Sequence, residues 1–156
     1  MKVLLINPPT DSPQPIMPLG LAFLAAALEK NNVTVRVIDA WVERLDFNAL
    51  GKQISNLGNF DLIGITIKSP TYAEAVKTIQ VAKKVSPESK IIIGGTHPSS
   101  LPEECLQENP QIDFVAVGEG DNLIIELVNA LGDNENKLSE IKGLVYRKNG
   151  KIINNG

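Results

Sequence analysis

Apolar residues enter this chain in two rhythms. Residues 3–6, 62–67, 91–93 and 114–117 are hydrophobic at nearly every position, with Ile and Val prominent. A strand apolar on both faces has to be covered on both, which is the situation inside a parallel sheet flanked by helices. Val33, Val35 and Val37 alternate instead with polar residues as far as Asp39, the pattern of a strand nearer the sheet edge. Between the strands the apolar spacing lengthens: Leu21, Leu24, Ala25 and Leu28; Leu50, Ile54 and Leu57; Val76, Ile79 and Ala82; Leu123, Leu127 and Leu131. Each set marks one face of a helix.

The punctuation between these segments agrees. Pro18 suits a first helical position and Asn31-Asn32 a left-handed stop. Asp46 is placed to cap the second helix and Gly58 to close it, Thr71 and Glu74 have capping-box spacing, and Ser86-Pro87 ends the third helix. A short helix is expected to begin at residues 101–104 and stop at Asn109-Pro110, and the last helix to end at Gly132 before a surface loop at 133–136. Asn149-Gly150, between residues 143–148 and 151–153, is a strong hairpin signal. Strands alternating with helices predict an α/β fold: a doubly wound five-stranded parallel sheet of flavodoxin-like order 2-1-3-4-5, with a C-terminal β-hairpin added to that core.

A length of 156 residues suits one domain with a sizeable core, and no linker or repeat divides it. A net charge of -3 with no cluster of Lys and Arg argues against a nucleic-acid partner. Cys105 is the single cysteine, which excludes an intrachain disulfide framework and fits a reducing compartment. The N-terminal apolar run is too short for a signal sequence or a membrane span. A cytoplasmic location with no membrane partner is therefore expected.

Ligands of such sheets bind outside the carboxyl ends of the strands, here residues 7–18, 68–71, 94–100 and 118–121. The first of these loops holds five prolines, which stiffen it and remove N–H donors, and it lacks the Gly-x-Gly-x-x-Gly of dinucleotide sites. Without that loop, Asp39 has little basis as a ribose ligand. Thr10 and Ser12 among prolines make a poor flavodoxin phosphate loop, and Asn7 and Lys68 stand where a phospho-acceptor needs aspartates. Neither a Walker loop nor a Gly-x-Ser-x-Gly is present, so no catalytic residue and no metal ligand is assigned. What remains is small residues after three adjacent strands: Ser69, Pro70 and Thr71; Gly94, Gly95 and Thr96; Gly118, Glu119 and Gly120. Taken alone, Gly94-Gly95 reads equally as a glycine turn and as a ligand-approach point. Its neighbours favour the ligand, in a slot suited to a long, flat group.

Asn7-Pro8-Pro9 after strand one, Pro-Leu-Gly-Leu-Ala at 18–22, Ser69-Pro70-Thr71-Tyr72, Gly94-Gly95-Thr96-His97-Pro98 and Gly118-Glu119-Gly120 follow in that order. In this the chain resembles, over essentially its whole length, the N-terminal cobalamin-binding domain of cobalamin-dependent radical S-adenosylmethionine enzymes. Residues 141–151 also resemble the hairpin leading into their catalytic barrel. The resemblance implies that the dimethylbenzimidazole tail of cobalamin lies between sheet and helices beside Ser69, Thr71, Gly94 and Gly95. Gly118, Glu119 and Gly120 would border the tail or the corrin edge. Asn7 and Pro8, with the rest of loop 7–18, would lie under or beside the corrin, and Pro70, Tyr72, Thr96 and His97 complete the cofactor-binding candidates. It implies residues 1–142 as a cobalamin-binding Rossmann-like domain and 143–156 as a hairpin leading toward a catalytic domain that this chain lacks.

Two departures qualify the likeness. The Asp-x-His-x-x-Gly signature of other cobalamin domains is absent after strand one, which implies base-off cobalamin without a histidine ligand to cobalt, as is usual in the radical subgroup. The Cys-x-x-x-Cys-x-x-Cys of an iron–sulfur cluster cannot be built from Cys105 alone. The cluster and S-adenosylmethionine are therefore expected only in the radical S-adenosylmethionine barrel domain of the parent chain, the module's partner, and this chain is not catalytic by itself. His97 reads as a turn residue or a contact of the bound cofactor, Cys105 as packing, Glu119 as a helix N-terminal residue, and Trp41 and Tyr72 as core cover or site wall. Lys68, turned into the slot, would obstruct an apolar tail. On that ground the alternative is a degenerate domain of the same fold, a scaffold or docking element without cofactor. Gly95→Leu is expected to separate the two, abolishing cofactor binding while sparing the fold.

Overall fold

The structure, a computed structural model, describes residues 1–11, 18–133 and 135–156. Most of the proline loop expected at 7–18, and position 134 of the loop expected at 133–136, lie outside the described residues. Strands β1 (Lys2–Asn7), β2 (Thr34–Asp39), β3 (Leu62–Thr66), β4 (Lys90–Gly94) and β5 (Phe114–Ala116) are parallel, in the order β2-β1-β3-β4-β5 that the alternation of elements predicts. The hairpin is more than an appendage to this core. β6 (Leu144–Lys148) pairs antiparallel with β5, and β7 (Lys151–Asn154) with β6, so one sheet of seven strands results. Asn149 and Gly150 take φ of 51° and 75°, the backbone a two-residue turn needs to match the strand twist.

The apolar runs are explained by cover on both faces. Leu4, Ile6, Ile63, Ile65, Ile91, Ile93 and Val115 pack against α2 (Phe47–Leu57), α3 (Tyr72–Val85) and α5 (Pro102–Glu108). Val3, Leu5, Leu62, Ile92, Phe114 and Ala116 pack against α1 (Leu19–Lys30) and α6 (Gly120–Asp133). Burying each of the larger side chains contributes about 1.5–3 kcal/mol, so the two faces together hold the molecule. Asp46 caps α2 as expected, its Oδ1 accepting from the Ala49 N–H at 2.7 Å. Asn32, at φ 59°, makes the stop after α1.

Five local expectations are corrected. Pro18 precedes α1 instead of opening it. Thr71 forms no capping box, because a 3-10 turn (Ser69–Thr71) intervenes and the Thr71 hydroxyl donates back to the Lys68 carbonyl at 3.3 Å. The segment read as a loop after β4 contains a five-residue helix, α4 (Thr96–Ser100), with Pro98 buried. Gly132 lies within α6, and a 3-10 segment (Glu135–Glu140) follows. In β2, which does lie at the sheet edge, Val35 and Ile38 are buried while Val37 is 43% exposed. Among the described residues, no helix is long and apolar enough to cross a membrane.

Candidate functional site

A cavity of about 340 Å³ opens at the carboxyl end of the sheet, between α1, α6 and the sheet face they cover. Its floor is Leu5, Gly64 and Ile92, which lie side by side in register across β1, β3 and β4. Nearer the mouth come Thr66, Gly94 and Ala116. Leu21 and Leu24 of α1 and Leu123 and Ile124 of α6 form the walls, and Asn7, Lys68, Gly118, Glu119 and Asp121 the rim. At Gly120 a Cβ would stand 3.2 Å from a Leu24 methyl, so glycine there lets the first turn of α6 close on α1.

The two glycines after β4 have separate tasks. A Cβ at Gly94 would meet only Ala116, in ordinary contact at 3.7 Å, so the missing side chain leaves room in the cavity. Gly95 has φ 110°, and a Cβ there would stand 2.6 Å from the Ile67 carbonyl oxygen. The chain leaving β4 crosses hard against the end of β3 at that point, where the Ile67 N–H donates to Gly94 O at 2.8 Å. The expectation that Gly95→Leu spares the fold is therefore corrected: the obstacle is backbone and cannot turn aside.

Asn7 is buried at the rim, and its Nδ2 donates to Asp39 Oδ1 at 2.8 Å. Asp39 also accepts from the Val42 N–H at 3.2 Å. That carboxylate positions Asn7 and the turn after β2. Pro8 is buried next to Asn7 but does not line the cavity.

Ser69, Pro70, Thr71, Tyr72, Thr96 and His97 are not among the cavity's lining residues. Three of them form a cluster of their own, with His97 Nδ1 3.2 Å from Ser69 Oγ and the His97 and Tyr72 rings 4.4 Å apart. The Tyr72 hydroxyl donates to Glu108 at 3.0 Å and accepts from Asn109 at 2.9 Å. Burial, and then the Glu108 bond, push its pKa up to about 12. Cys105 beneath them is 1% exposed, its thiol pushed up to about 11 by burial first and by Glu108 and Glu104 next. This is the inert packing cysteine that its sequence context indicates. Among the described residues, no group of three or more His, Cys, Asp or Glu side chains is arranged to hold a metal ion.

Of the residues singled out by sequence, the cavity brings together Asn7, Gly94, Gly95, Gly118, Glu119 and Gly120. Reading the strand ends alone passed over Gly64, although a glycine inside an apolar strand signals close approach. The leucines and isoleucines of floor and wall carried no signal, since they read as ordinary core.

Residues 10–128 match the sequence model of the B12 binding domain. An uncharacterized methyltransferase of Pyrococcus horikoshii is 36% identical over 99% of this chain and 34% of its own length. Cytidylyl-2-hydroxyethylphosphonate methyltransferase of Streptomyces wedmorensis is 30% identical over 97% of this chain and 32% of its own. The chain thus spans about a third of these relatives. Among solved structures, the radical S-adenosylmethionine methyltransferase TsrM of Kitasatospora setae, with cobalamin and a [4Fe-4S] cluster bound, superposes with a TM-score of 0.84 at 24% identity, covering 98% of this chain and 28% of that one. The cobalamin-dependent S-adenosylmethionine radical enzyme OxsB, with aqua-cobalamin and S-adenosylmethionine bound, gives the same TM-score of 0.84 at 24% identity, over 99% of this chain and 22% of that one. At such identity the likeness to these two is one of fold. The sequence match covers most of the chain, and the chain belongs to the B12-binding domain family.

Proposed function

We propose that this chain is the cobalamin-binding module of a radical S-adenosylmethionine enzyme of methyltransferase or cyclase type, holding cobalamin base-off and without a histidine on cobalt. The observation that carries the reading is the cavity itself, an apolar slot between sheet and helices along whose sheet side Gly64, Gly94 and Ala116 present little or no side chain from floor to mouth. Its 340 Å³ stands near the lower end of the roughly 300–1,000 Å³ of small-molecule sites. That is room for an aromatic base and its sugar, while a macrocycle has to lie outside, across the strand ends. Gly64, Gly94 and Ala116 would take the flat base against the sheet, Leu24 and Ile124 would exclude water from it, and Asn7, Gly118 and Glu119 would border the ring. When bound, cobalamin supplies a cobalt centre able to carry a methyl group or exchange electrons. His97, the sole histidine, is occupied with Ser69 and Tyr72 away from the cavity, which supports cobalt without a protein imidazole.

On this reading the iron–sulfur cluster and S-adenosylmethionine belong to a barrel domain of the longer protein. Residues 1–142 carry the cofactor site, and the 143–156 hairpin, which completes their sheet, leads toward that partner. Mixing the protein with hydroxocobalamin, desalting and recording the visible spectrum tests the reading. Near-stoichiometric corrin absorbance is expected to stay with the protein. Its absence from both this chain and the longer protein would leave the scaffold reading, which the uncompensated Lys68 at the rim favours.

A further inference from the structure

Lys68 is the one cation among the residues lining the cavity, and among the described residues its ammonium has neither a hydrogen-bond nor an ion-pair partner. Its backbone, by contrast, is fixed. The Lys68 carbonyl accepts from the Thr71 N–H at 3.0 Å and from the Thr71 hydroxyl at 3.3 Å, and the preceding residue is tied to Gly94. A firmly rooted side chain with a free charged tip thus stands at the mouth of an apolar slot. A wholly neutral ligand would strip water from that tip without replacing it, which costs binding energy. A ligand with an apolar base and an anionic link just behind it would turn the same lysine into an asset. Across the rim stand Glu119 and Asp121, so an anion entering the mouth is repelled from the β5–α6 side and drawn to the β3 side.

Resting on the cobalamin reading above, we propose that Lys68 recognises the phosphodiester of the nucleotide tail. The phosphodiester carries the tail's one formal negative charge, and it joins the corrin to the ribose and base that would occupy the slot. The contact sets the direction in which the tail enters, because only one side of the mouth accepts the charge.

Hydroxocobalamin and cobinamide, which lacks phosphate, ribose and base, are titrated by visible absorbance against the unaltered chain, Lys68→Met and Lys68→Arg. Lys68 is exposed, and the thermal midpoint should not change with either substitution. Lys68→Met is expected to bind cobalamin about tenfold more weakly, cobinamide unchanged, and Lys68→Arg to restore cobalamin affinity. The tenfold difference should shrink at high salt. Cobalamin bound equally or more tightly by Lys68→Met overturns the proposal and leaves cofactor binding standing. Equal losses for both corrinoids also overturn it, placing the lysine against the ring. Failure of both the unaltered chain and the longer protein to bind either corrinoid removes the cofactor reading, and this one with it.

Discussion

Gly94 and Gly95 are neighbours in sequence, yet substitutions should separate them cleanly. A valine at 94 suits strand backbone and would project into the cavity beside Ala116. Gly94→Val is expected to keep a near-normal urea midpoint while weakening hydroxocobalamin binding at least tenfold, about 1.4 kcal/mol. Gly95→Ala should instead lose about 1–3 kcal/mol of stability, because φ 110° and the Ile67 carbonyl both oppose a Cβ. A Gly95→Ala protein of normal stability, or a Gly94→Val protein that binds normally, contradicts these assignments. Cys105 and Tyr72 make a second prediction at this scale. Their folded pKa values, about 11 and about 12, stand above 9.0 and 10.0 in the free groups, so at alkaline pH the unfolded chain holds fewer protons than the folded one. The stability they contribute is complete below pH 9 and is lost as pH rises toward 11 and 12. Urea midpoints on either side of that window should fall in the unaltered protein and fall less in Cys105→Ala. An equal fall in both would assign the alkaline loss to other groups.

Among the helices, capping chemistry that depends on one side chain and one turn was legible, and capping that depends on the path of the incoming chain was not. Asp46 and Thr71 both look like caps, but only Asp46 accepts a helix N–H. Asp46→Ala is therefore expected to cost about 1 kcal/mol in chemical denaturation and Thr71→Ala less than about 0.5. Equal costs would mean that the 3-10 turn before α3 is itself supported by the Thr71 hydroxyl. The same division runs through the fold. Strand runs covered on both faces and the Asn149-Gly150 turn follow from short-range pattern, and five parallel strands in the order 2-1-3-4-5 follow from their alternation with helices. α4 is too short for any periodicity, and Val37 is exposed although it occupies the same phase of the β2 alternation as buried Val35. The candidate site was half legible for a related reason. Glycines at strand ends announce themselves, whereas Leu5, Ile92 and Ile124 look the same whether they fill a core or line a cavity within it. Ser69 and His97 follow the right strands, but their contacts run to each other and to Tyr72 of α3, so proximity along the chain did not become a place in the cavity wall.

At the scale of the molecule, the hairpin decides where the folding unit ends. Leu144, Val145 and Tyr146 are at most 2% exposed and complete both core faces through their pairing with Ala116, Val115 and Phe114. Side chains and termini add to the attachment: the Arg147 guanidinium donates to the Leu106 carbonyl, and Asn155 Nδ2 donates to Leu138 and Ile141 at 2.7 and 2.8 Å. Removing 143–156 would strip three core side chains worth about 1.5–3 kcal/mol each from a domain whose whole stability is of order 5–15 kcal/mol. It would also bare the edge of β5. A chain of residues 1–142 is therefore expected to aggregate, or to lose its cooperative thermal transition, in size-exclusion and circular-dichroism experiments. A soluble 1–142 chain with the same midpoint as residues 1–156 would instead make the hairpin dispensable to the fold of the first five strands. The cavity gives the result a functional edge. Ala116 lies in its wall and is paired to Leu144, and the Val117 N–H donates to the Gly143 carbonyl at 2.9 Å. The first strand of the hairpin is thus hydrogen-bonded to the strand that lines the slot, and a displacement of one is felt in the other without any intervening loop.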